Sequence, residues 1–476
     1  MKLLRPTLLT LAILLGQPAM ANDLPSLGDS SSGIVSPEQE YQLGRAWLSL
    51  LRGQVPQLSD ALLKDYLERS VYRLAETSQL QDRRLEFVLL KSPQLNAFAA
   101  PGGIIGVNGG LFIHAQTEAE YASVMAHELA HLSQRHFARG LEAQKRMQLP
   151  VMAAMLAGVV AAAAGAGDAG IAAIVSTQAA AIQAQRRFSR QNEQEADRIG
   201  LLNLERAGYD PRAMPDMFGR LMRQYRYDQK PPEFLLTHPV SESRIADTRN
   251  RAEQYPEGGV QDSLRYQLMR ARVDLQFETT PGLSAKRFRA MLDENQNLDS
   301  ARYGLALAQI RSAQLQEAAA TLQPLLSKAP DEIIYNLAQI ELDITANRMG
   351  EADKRIRQLL ELYPGSYPVR QAQIDLLIKQ GRLQEAEGEL DRLVEARPRD
   401  PDVWYQVSEV RGLTGNILGL HQARAEFFAL VGDYTQAIEQ LDFAKRRAST
   451  FQMSARIDAR QQQLADEKRM IEDMLR

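Results

Sequence analysis

Hydrophobic and polar positions change their spacing along the chain, and this change predicts two kinds of domain. From residue 36 to about residue 257, helix-like and strand-like spacings are mixed. Residues 85–90 and 104–107 have the pattern of strands, whereas helices are predicted to begin at Pro37 and near Thr117. We therefore expect a first domain that combines helices with a few strands.

Beyond residue 261 the sequence repeats itself every 34 residues. The period is kept by prolines, by glutamates that precede an alanine, and by aliphatic residues: Pro330, Pro364, Pro398; Glu317, Glu351, Glu385; Leu322, Ile356, Leu390. This period is typical of tetratricopeptide repeats, each of which is a pair of antiparallel helices. The sequence predicts an all-α repeat solenoid over residues 261–476. Gly432–Ala437 resembles a further unit in a shifted register.

Residues 1–21 have the pattern of a cleavable signal peptide. Lys2 and Arg5 precede a short apolar run, and Ala19–Ala21 has the small-residue spacing of a cleavage site. The apolar run is too short to span a bilayer, which favours cleavage after Ala21 over a membrane anchor. We expect export, and a first folded domain over residues 22–260.

Residues 149–184 consist mainly of Ala, Val, Ile and Met, with glycines in the middle. Two interpretations are open: a hydrophobic hairpin that covers a functional site or contacts a membrane, or a pair of buried Ala-rich helices. The second is favoured because neither half reaches the roughly 20 apolar residues that a membrane span requires.

The composition is that of a folded protein, and it restricts the chemistry. Hydrophobic residues make up 45% and charged residues 24%, and the formal net charge of −3 argues against a nucleic-acid binder. Because the chain has no cysteine, a metal site must be built from histidines and carboxylates. Six histidines are available: His114, His127, His131, His136, His238 and His421.

Two of these histidines enclose the run His127–His131, which reads His-Glu-Leu-Ala-His. Positions i and i+4 of a helix share one face, so both imidazoles can bind one metal ion. Glu128 can then act on a water at the metal without binding the metal itself. The alternative is an ordinary amphipathic helix with two surface histidines.

A catalytic zinc ion requires a third protein ligand. A metzincin would have Gly at position 134 and His at position 137, and this chain has neither. Carboxylates follow downstream, where Glu193 and Asp197 share one helical face. One of them can bind the metal while the other hydrogen-bonds a metal-binding histidine. Glu195 competes with them as a candidate ligand, but it points about 160° away from Asp197 on a helix of 3.6 residues per turn. A charged, solvated helix face is the alternative.

The runs His127–His131 and Ser189–Asp197 together resemble the two motifs of the M48 family of metallopeptidases. The resemblance covers roughly residues 36–257. Within it, Asn96–Gly103 resembles the segment that leads into the family's substrate-aligning edge strand. Thr-His-Pro at 237–239, with Arg244 following, resembles a further element near the site.

The resemblance implies a gluzincin-type α+β domain that is mostly helical with a small sheet. One zinc ion per chain is expected on His127, His131 and Glu193, with Glu128 as the catalytic base. The expected reaction is endopeptide hydrolysis, with the substrate extended against the strand at 104–107.

His238 has two possible roles. It could donate a hydrogen bond to the transition state, or it could be a fourth zinc ligand that blocks the water position and holds the enzyme latent. The remaining histidines, His114, His136 and His421, are expected to be packing or surface residues.

The order of signal peptide, M48 domain and repeats is similar to that of bacterial M48 peptidases that enhance the assembly of outer-membrane β-barrels. It implies a periplasmic enzyme that degrades unfolded or misassembled outer-membrane proteins and assists their assembly. The repeats would contact the β-barrel assembly machinery. No nucleic-acid partner and no transmembrane span are expected.

A different class of function would also use the large repeat region, namely a periplasmic chaperone or binding scaffold with a structural or latent zinc site. Structural zinc sites are usually closed by four ligands, mostly cysteines, and this chain has none. Permanent binding by His238 would favour the scaffold. A membrane-embedded M48 enzyme of the prenyl-peptidase type is disfavoured because no segment is long enough to span.

Overall fold

The computed structural model of the protein describes residues 36–143, 181–225 and 231–475. The expected signal peptide at 1–21 lies outside the described residues. The apolar segment at 149–184 also lies outside the described residues, except for residues 181–184. The interpretations of both therefore stay predictions.

Two amphipathic helices precede the sheet, α1 (Pro37–Gln54) and α2 (Ala61–Thr77). The side chain of Ser36 accepts from the backbone N–H of Gln39, and the side chain of Gln39 accepts from the backbone of Ser36. This capping box starts α1 at Pro37, as the sequence predicts.

The sheet has three short strands, β1 (Glu86–Leu90), β2 (Ala97–Ala100) and β3 (Ile104–Asn108). Strand β3 pairs in parallel with β1 and antiparallel with β2, so that it lies between them. The prediction that a substrate pairs with residues 104–107 is therefore wrong, because both edges of β3 are already occupied. Of the two outer strands, β2 is the one that reaches the candidate site described below.

Helices surround the sheet in the rest of this part of the chain. In chain order they are α3 (Gly109–His114), α4 (Glu118–Ser133), α5 (His136–Ala143), α6 (Ala181–Arg206), α7 (Ala213–Tyr225), α8 (Glu233–Thr237) and α9 (Glu242–Ala252). The central helix is α4, capped by Thr117 and buried at every residue from Glu118 to Ala130. An α+β arrangement with mostly helices and one small sheet matches the expected fold class.

The second half of the described chain is entirely helical. Its helices are α10 (Leu264–Phe277), α11 (Pro281–Glu294), α12 (Asp299–Arg311), α13 (Leu315–Lys328), α14 (Ile333–Thr345), α15 (Met349–Leu362), α16 (Tyr367–Lys379), α17 (Leu383–Ala396), α18 (Pro401–Thr414), α19 (Ile417–Leu430), α20 (Tyr434–Lys445) and α21 (Phe451–Leu475).

The 34-residue period has a packing cause. Ala318, Ala352 and Ala386 are fully buried at equivalent positions of successive repeats, where a larger side chain would keep the paired helices apart. The aliphatic residues of the period are buried with them. The repeat solenoid that the sequence predicts is therefore confirmed.

The repeats pack against the first half of the chain at two well-separated places. Tyr266 of α10 is fully buried and lies 5.5 Å, centroid to centroid, from Tyr121 of α4. Further along, Lys64 of α2 lies 3.1 Å from Asp400 and 2.6 Å from Asp402, which begin α18. The hydrophobic core thus continues across the predicted boundary at residues 260 and 261, and that boundary stays a prediction.

Candidate metal centre

Helix α4 presents His127 and His131 on the same face, one turn apart. Their Nε2 atoms are 3.1 Å apart. His127 is fully buried, and the side chain of His131 is 16% exposed, at the wall of the site. The i, i+4 spacing therefore brings the two nitrogens together as expected.

Helix α6 packs against α4 and brings a carboxylate to the two imidazoles. The Glu193 carboxylate lies 3.4 Å from the Nε2 atom of His127 and 3.4 Å from that of His131. A tetrahedral ion with bonds of about 2.1 Å places its ligand atoms about 3.4 Å apart. The spacing of the three side chains therefore fits a zinc ion between them.

His238 joins the same group from the loop after α8. Its Nδ1 atom lies 3.1 Å from the Glu193 carboxylate and 3.3 Å from Nε2 of His127. One ligand atom from each of His127, His131, Glu193 and His238 lies within 4.8 Å of all the others. Three imidazoles and one carboxylate, without cysteine, are a donor set that zinc accepts.

The electrostatics also suit a cation. Burial lowers the pKa of His131 well below its ordinary value, so that the ring is neutral and has a free lone pair. Burial raises the pKa of Glu193, but the surrounding histidines outweigh it and hold that pKa well below its usual range. His131 thus offers a neutral nitrogen and Glu193 an ionised carboxylate, as zinc binding requires. Burial lowers the pKa of His127, but the carboxylates of Asp197 and Glu193 outweigh it and raise that pKa to about 10, so zinc binding at His127 must displace a proton.

Asp197 stands behind His127 on the far side from the group. Its carboxylate lies 3.0 Å from Nδ1 of His127 and accepts two hydrogen bonds of 2.7 Å from the guanidinium of Arg244. Burial raises the pKa of Asp197, but the hydrogen bonds from His127 and Arg244 more than offset it and keep the carboxylate ionised. Asp197 can therefore fix the ring orientation and tautomer of His127.

Glu128 lies beside the group and is almost fully buried. Its Oε2 atom accepts a hydrogen bond of 3.0 Å from the backbone N–H of Ala99 in β2, and its Oε1 atom lies 3.4 Å from Nε2 of His238. Burial raises the pKa of Glu128 above that of an ordinary glutamate, which makes it a stronger base.

The structure adds residues that sequence reasoning missed. Arg244, noted in the sequence only because it follows the Thr-His-Pro run, binds Asp197 and lies 3.0 Å from Glu193. His136 was expected to be a packing or surface residue, yet its Nδ1 atom lies 2.8 Å from Nδ1 of His131. The spacing between His131 and His136 is not a helical one, so no sequence period could have indicated the contact.

The other two histidines lie outside the group. His114 contacts the ring of Tyr225, and His421 hydrogen-bonds Gln440 within the repeats at 2.8 Å. Glu195, the rejected competitor for metal binding, points away from the group towards His136 and Arg139.

Comparison with known proteins agrees with this geometry. The pattern of Peptidase family M48 matches residues 61–252, which include the six candidate site residues, and a tetratricopeptide-repeat pattern matches residues 344–407. The beta-barrel assembly-enhancing protease of Yersinia pestis is 35% identical over 450 residues, which are 93% of this chain and 91% of that protein. The chain belongs to peptidase family M48.

Two further relatives agree with this membership. The beta-barrel assembly-enhancing protease of Escherichia coli is 37% identical over 351 residues, or 72% of this chain and 71% of that protein. A mitochondrial metalloendopeptidase of Arabidopsis thaliana is 34% identical over 170 residues, or 36% of this chain and 32% of that protein. This M48 protein is thus a metallopeptidase with tetratricopeptide repeats behind its peptidase domain, and the family resemblance seen in the sequence is confirmed.

Within the described ranges, no helix is both long enough and apolar enough to cross a bilayer.

Proposed function

We propose that the protein is a zinc endopeptidase in which His127, His131 and Glu193 hold the metal and Glu128 is the general base. The observation that carries the proposal is the position of Glu128. It lies next to the four-donor group and accepts a hydrogen bond from Ala99 of β2, an outer strand of the sheet. When bound, zinc would polarise the scissile carbonyl and acidify a water.

Residues of the chain itself accept the proton and orient the metal-binding ring. Glu128 accepts the proton of the attacking water at Oε1, while Ala99 holds its other oxygen in place. Asp197 and Arg244 keep the His127 ring in one orientation. Each of these roles follows from a contact that is already formed without substrate.

Substrate is proposed to lie along β2. This strand pairs with β3 on one side only, and the N–H of Ala99 on its other side already faces the base. An extended peptide that pairs with an edge strand by main-chain hydrogen bonds is selected for being unfolded or strand-like, not for its sequence. The preferred substrates are therefore unfolded segments.

His238 is proposed to be a fourth ligand that holds the enzyme latent. Its Nδ1 atom occupies one corner of the four-donor group, which is the position that a catalytic zinc site keeps for water. Withdrawal of the ring would open that position. A transition-state donor is the other role, and substitution of His238 distinguishes the two roles in the Discussion.

The cellular role is proposed from the names of the relatives. Two of them, which the chain matches over 71% and 91% of their lengths, are named beta-barrel assembly-enhancing proteases. We propose a periplasmic enzyme, exported by the signal peptide at 1–21, that degrades misassembled outer-membrane proteins and assists their assembly. The repeats, which form nearly half of the chain, would bind the β-barrel assembly machinery or its clients.

The alternative is a periplasmic chaperone or scaffold whose zinc is structural. It is favoured by one observation, the four-donor group that includes His238, because four protein ligands close a zinc site. The peptidase proposal is preferred because a structural site gives no reason for a buried Glu128 beside the metal group.

One variant separates the two. Glu128→Gln keeps the size of the side chain and its hydrogen bond from Ala99 but removes the base. We expect hydrolysis of an unfolded casein-type substrate to fall by about 10²–10⁴-fold, with zinc content equal to that of the wild type. Full activity in this variant would end the proposed mechanism. Bound zinc without hydrolysis, both in the wild type and in His238→Ala, would favour the scaffold.

A further inference from the structure

The two histidines of α4 are supported in different ways on their far sides. His127 meets a carboxylate directly, because Asp197 lies 3.0 Å from its Nδ1 atom. His131 meets another imidazole, because the Nδ1 atom of His136 lies 2.8 Å from the Nδ1 atom of His131. His136 in turn reaches Glu195, whose Oε2 atom is 3.2 Å from its Nε2 atom.

A sharp bend brings His136 to this place. Arg135 has a left-handed backbone (φ 49°) between the end of α4 and the start of α5, and its side chain is anchored 2.9 Å from Glu40 of α1. The bend turns the His136 ring back onto His131, and the His136 side chain is only 5% exposed. A left-handed residue other than glycine is uncommon, so this bend is a specific feature of the fold.

His131, His136 and Glu195 form a hydrogen-bonded row. Metal binding would fix the direction of each hydrogen bond in this row. The Nε2 atom of His131 faces the donor group, so a neutral ring that binds zinc there must carry its proton on Nδ1. That N–H donates to Nδ1 of His136, which must then carry its own proton on Nε2 and donate it to Glu195. Arg139 donates to the same Glu195 oxygen over 2.9 Å.

We propose that His136 and Glu195 are positioning residues that set the tautomer and orientation of His131 for metal binding. They do for His131 what Asp197 and Arg244 do for His127, with one imidazole inserted between the metal-binding ring and the carboxylate. Each row ends in a carboxylate held by an arginine. The inference deepens the proposed function, because it rests on the same zinc site.

The inserted imidazole has a consequence of its own. His136 can accept from His131 through Nδ1 and donate to Glu195 through Nε2 in one tautomer only. Removal of either its acceptor nitrogen or the terminal carboxylate leaves the His131 N–H without a correctly oriented partner. Partners behind metal-binding histidines typically contribute about 10–100-fold in metal affinity.

The experiment measures the zinc dissociation constant of the full chain by chelator competition, with zinc alone as the probe. His136→Phe fills the space but removes the acceptor, and we expect zinc affinity to fall by about 10–100-fold. His136→Asn offers an amide oxygen to His131 and should recover part of that loss. Glu195→Gln is the second variant, should His136→Phe fail to fold, and should weaken zinc binding in the same direction.

Two controls match these variants. His421→Phe removes a histidine within the repeats, and Glu205→Gln removes a carboxylate further along α6; neither should change zinc affinity. Equal affinity in wild type, His136→Phe and Glu195→Gln would overturn the positioning role while leaving the proposed zinc enzyme intact. An equal loss in His136→Asn and His136→Phe would assign the effect to packing and also overturn it. A wild type that binds no zinc would overturn both proposals.

Discussion

The backbone N–H of Ala99 donates a hydrogen bond of 3.0 Å to Oε2 of Glu128. This contact joins an outer strand of the sheet to the proposed base on α4. In the proposed mechanism, substrate alignment and proton transfer therefore both depend on Ala99.

Ala99→Pro removes the donor of that contact. Because the N–H of Ala99 points to Glu128 and not to β3, proline removes no strand-pairing bond there. Loss of one hydrogen bond to a charged group costs about 1.5–3 kcal/mol, so we expect kcat/KM for an unfolded protein substrate to fall about 10–100-fold. Ala99→Gly keeps the N–H and is the control. Similar activity in the proline and glycine variants would contradict the proposed role of the contact.

His238→Ala tests the latch. If the ring occupies the fourth position of the metal group in the resting enzyme, its removal opens that position to water. We expect a several-fold rise in turnover of a casein-type substrate, together with weaker zinc binding. Lost turnover with intact zinc would instead assign His238 the role of a transition-state donor. The ratio of turnover to bound zinc, measured on the same preparation, distinguishes these results.

Asp400→Asn tests the contact between the repeats and the peptidase domain. Burial raises the pKa of Asp400, but Lys64 and Arg397 outweigh it and hold the pKa below its ordinary value. A carboxylate with a lowered folded-state pKa stabilises the fold above its unfolded pKa of about 3.9, and this contribution is lost as the pH falls through the folded-state value. At neutral pH we expect the substitution to lower the free energy of unfolding by about 2 kcal/mol.

Denaturant unfolding of both proteins at several pH values measures this difference. The difference should be constant from pH 6 to 8 and should shrink below about pH 4, where the carboxylate begins to be protonated in the unfolded chain. It should be lost once the pH falls below the lowered folded-state pKa of Asp400. Asp353→Asn is the control, because Asp353 pairs with Arg357 on an exposed helix face, where ion pairs contribute little. A difference that did not change with pH would contradict the assignment of the effect to charge.

Local patterns allowed much of the fold to be predicted from the sequence. The helix that begins after Thr117, the strand at 85–90 and the 34-residue repeat all depend on residues close together in the chain. The same is true of the His127–His131 spacing. These features follow from helical and strand periods alone, and the structure contains them at the predicted places.

Features that depend on how distant segments pack could not be predicted. The order of the strands places β3 in the middle, which no local pattern of residues 104–107 indicates. The contact of His136 with His131 depends on a left-handed turn at Arg135, and arginine gives no sequence signal for such a turn. Arg244 reaches Asp197 from a separate helix. In each case the tertiary packing determines the contact.

The most direct measurement of the central claim is the zinc content of purified wild type and Glu193→Ala by elemental analysis. Glu193 supplies the only carboxylate among the four donors that the described residues bring together. We predict about one zinc ion per wild-type chain, a large loss of zinc in Glu193→Ala, and no loss in the control Glu205→Gln. A Glu193→Ala protein that keeps its full complement of zinc would contradict the account.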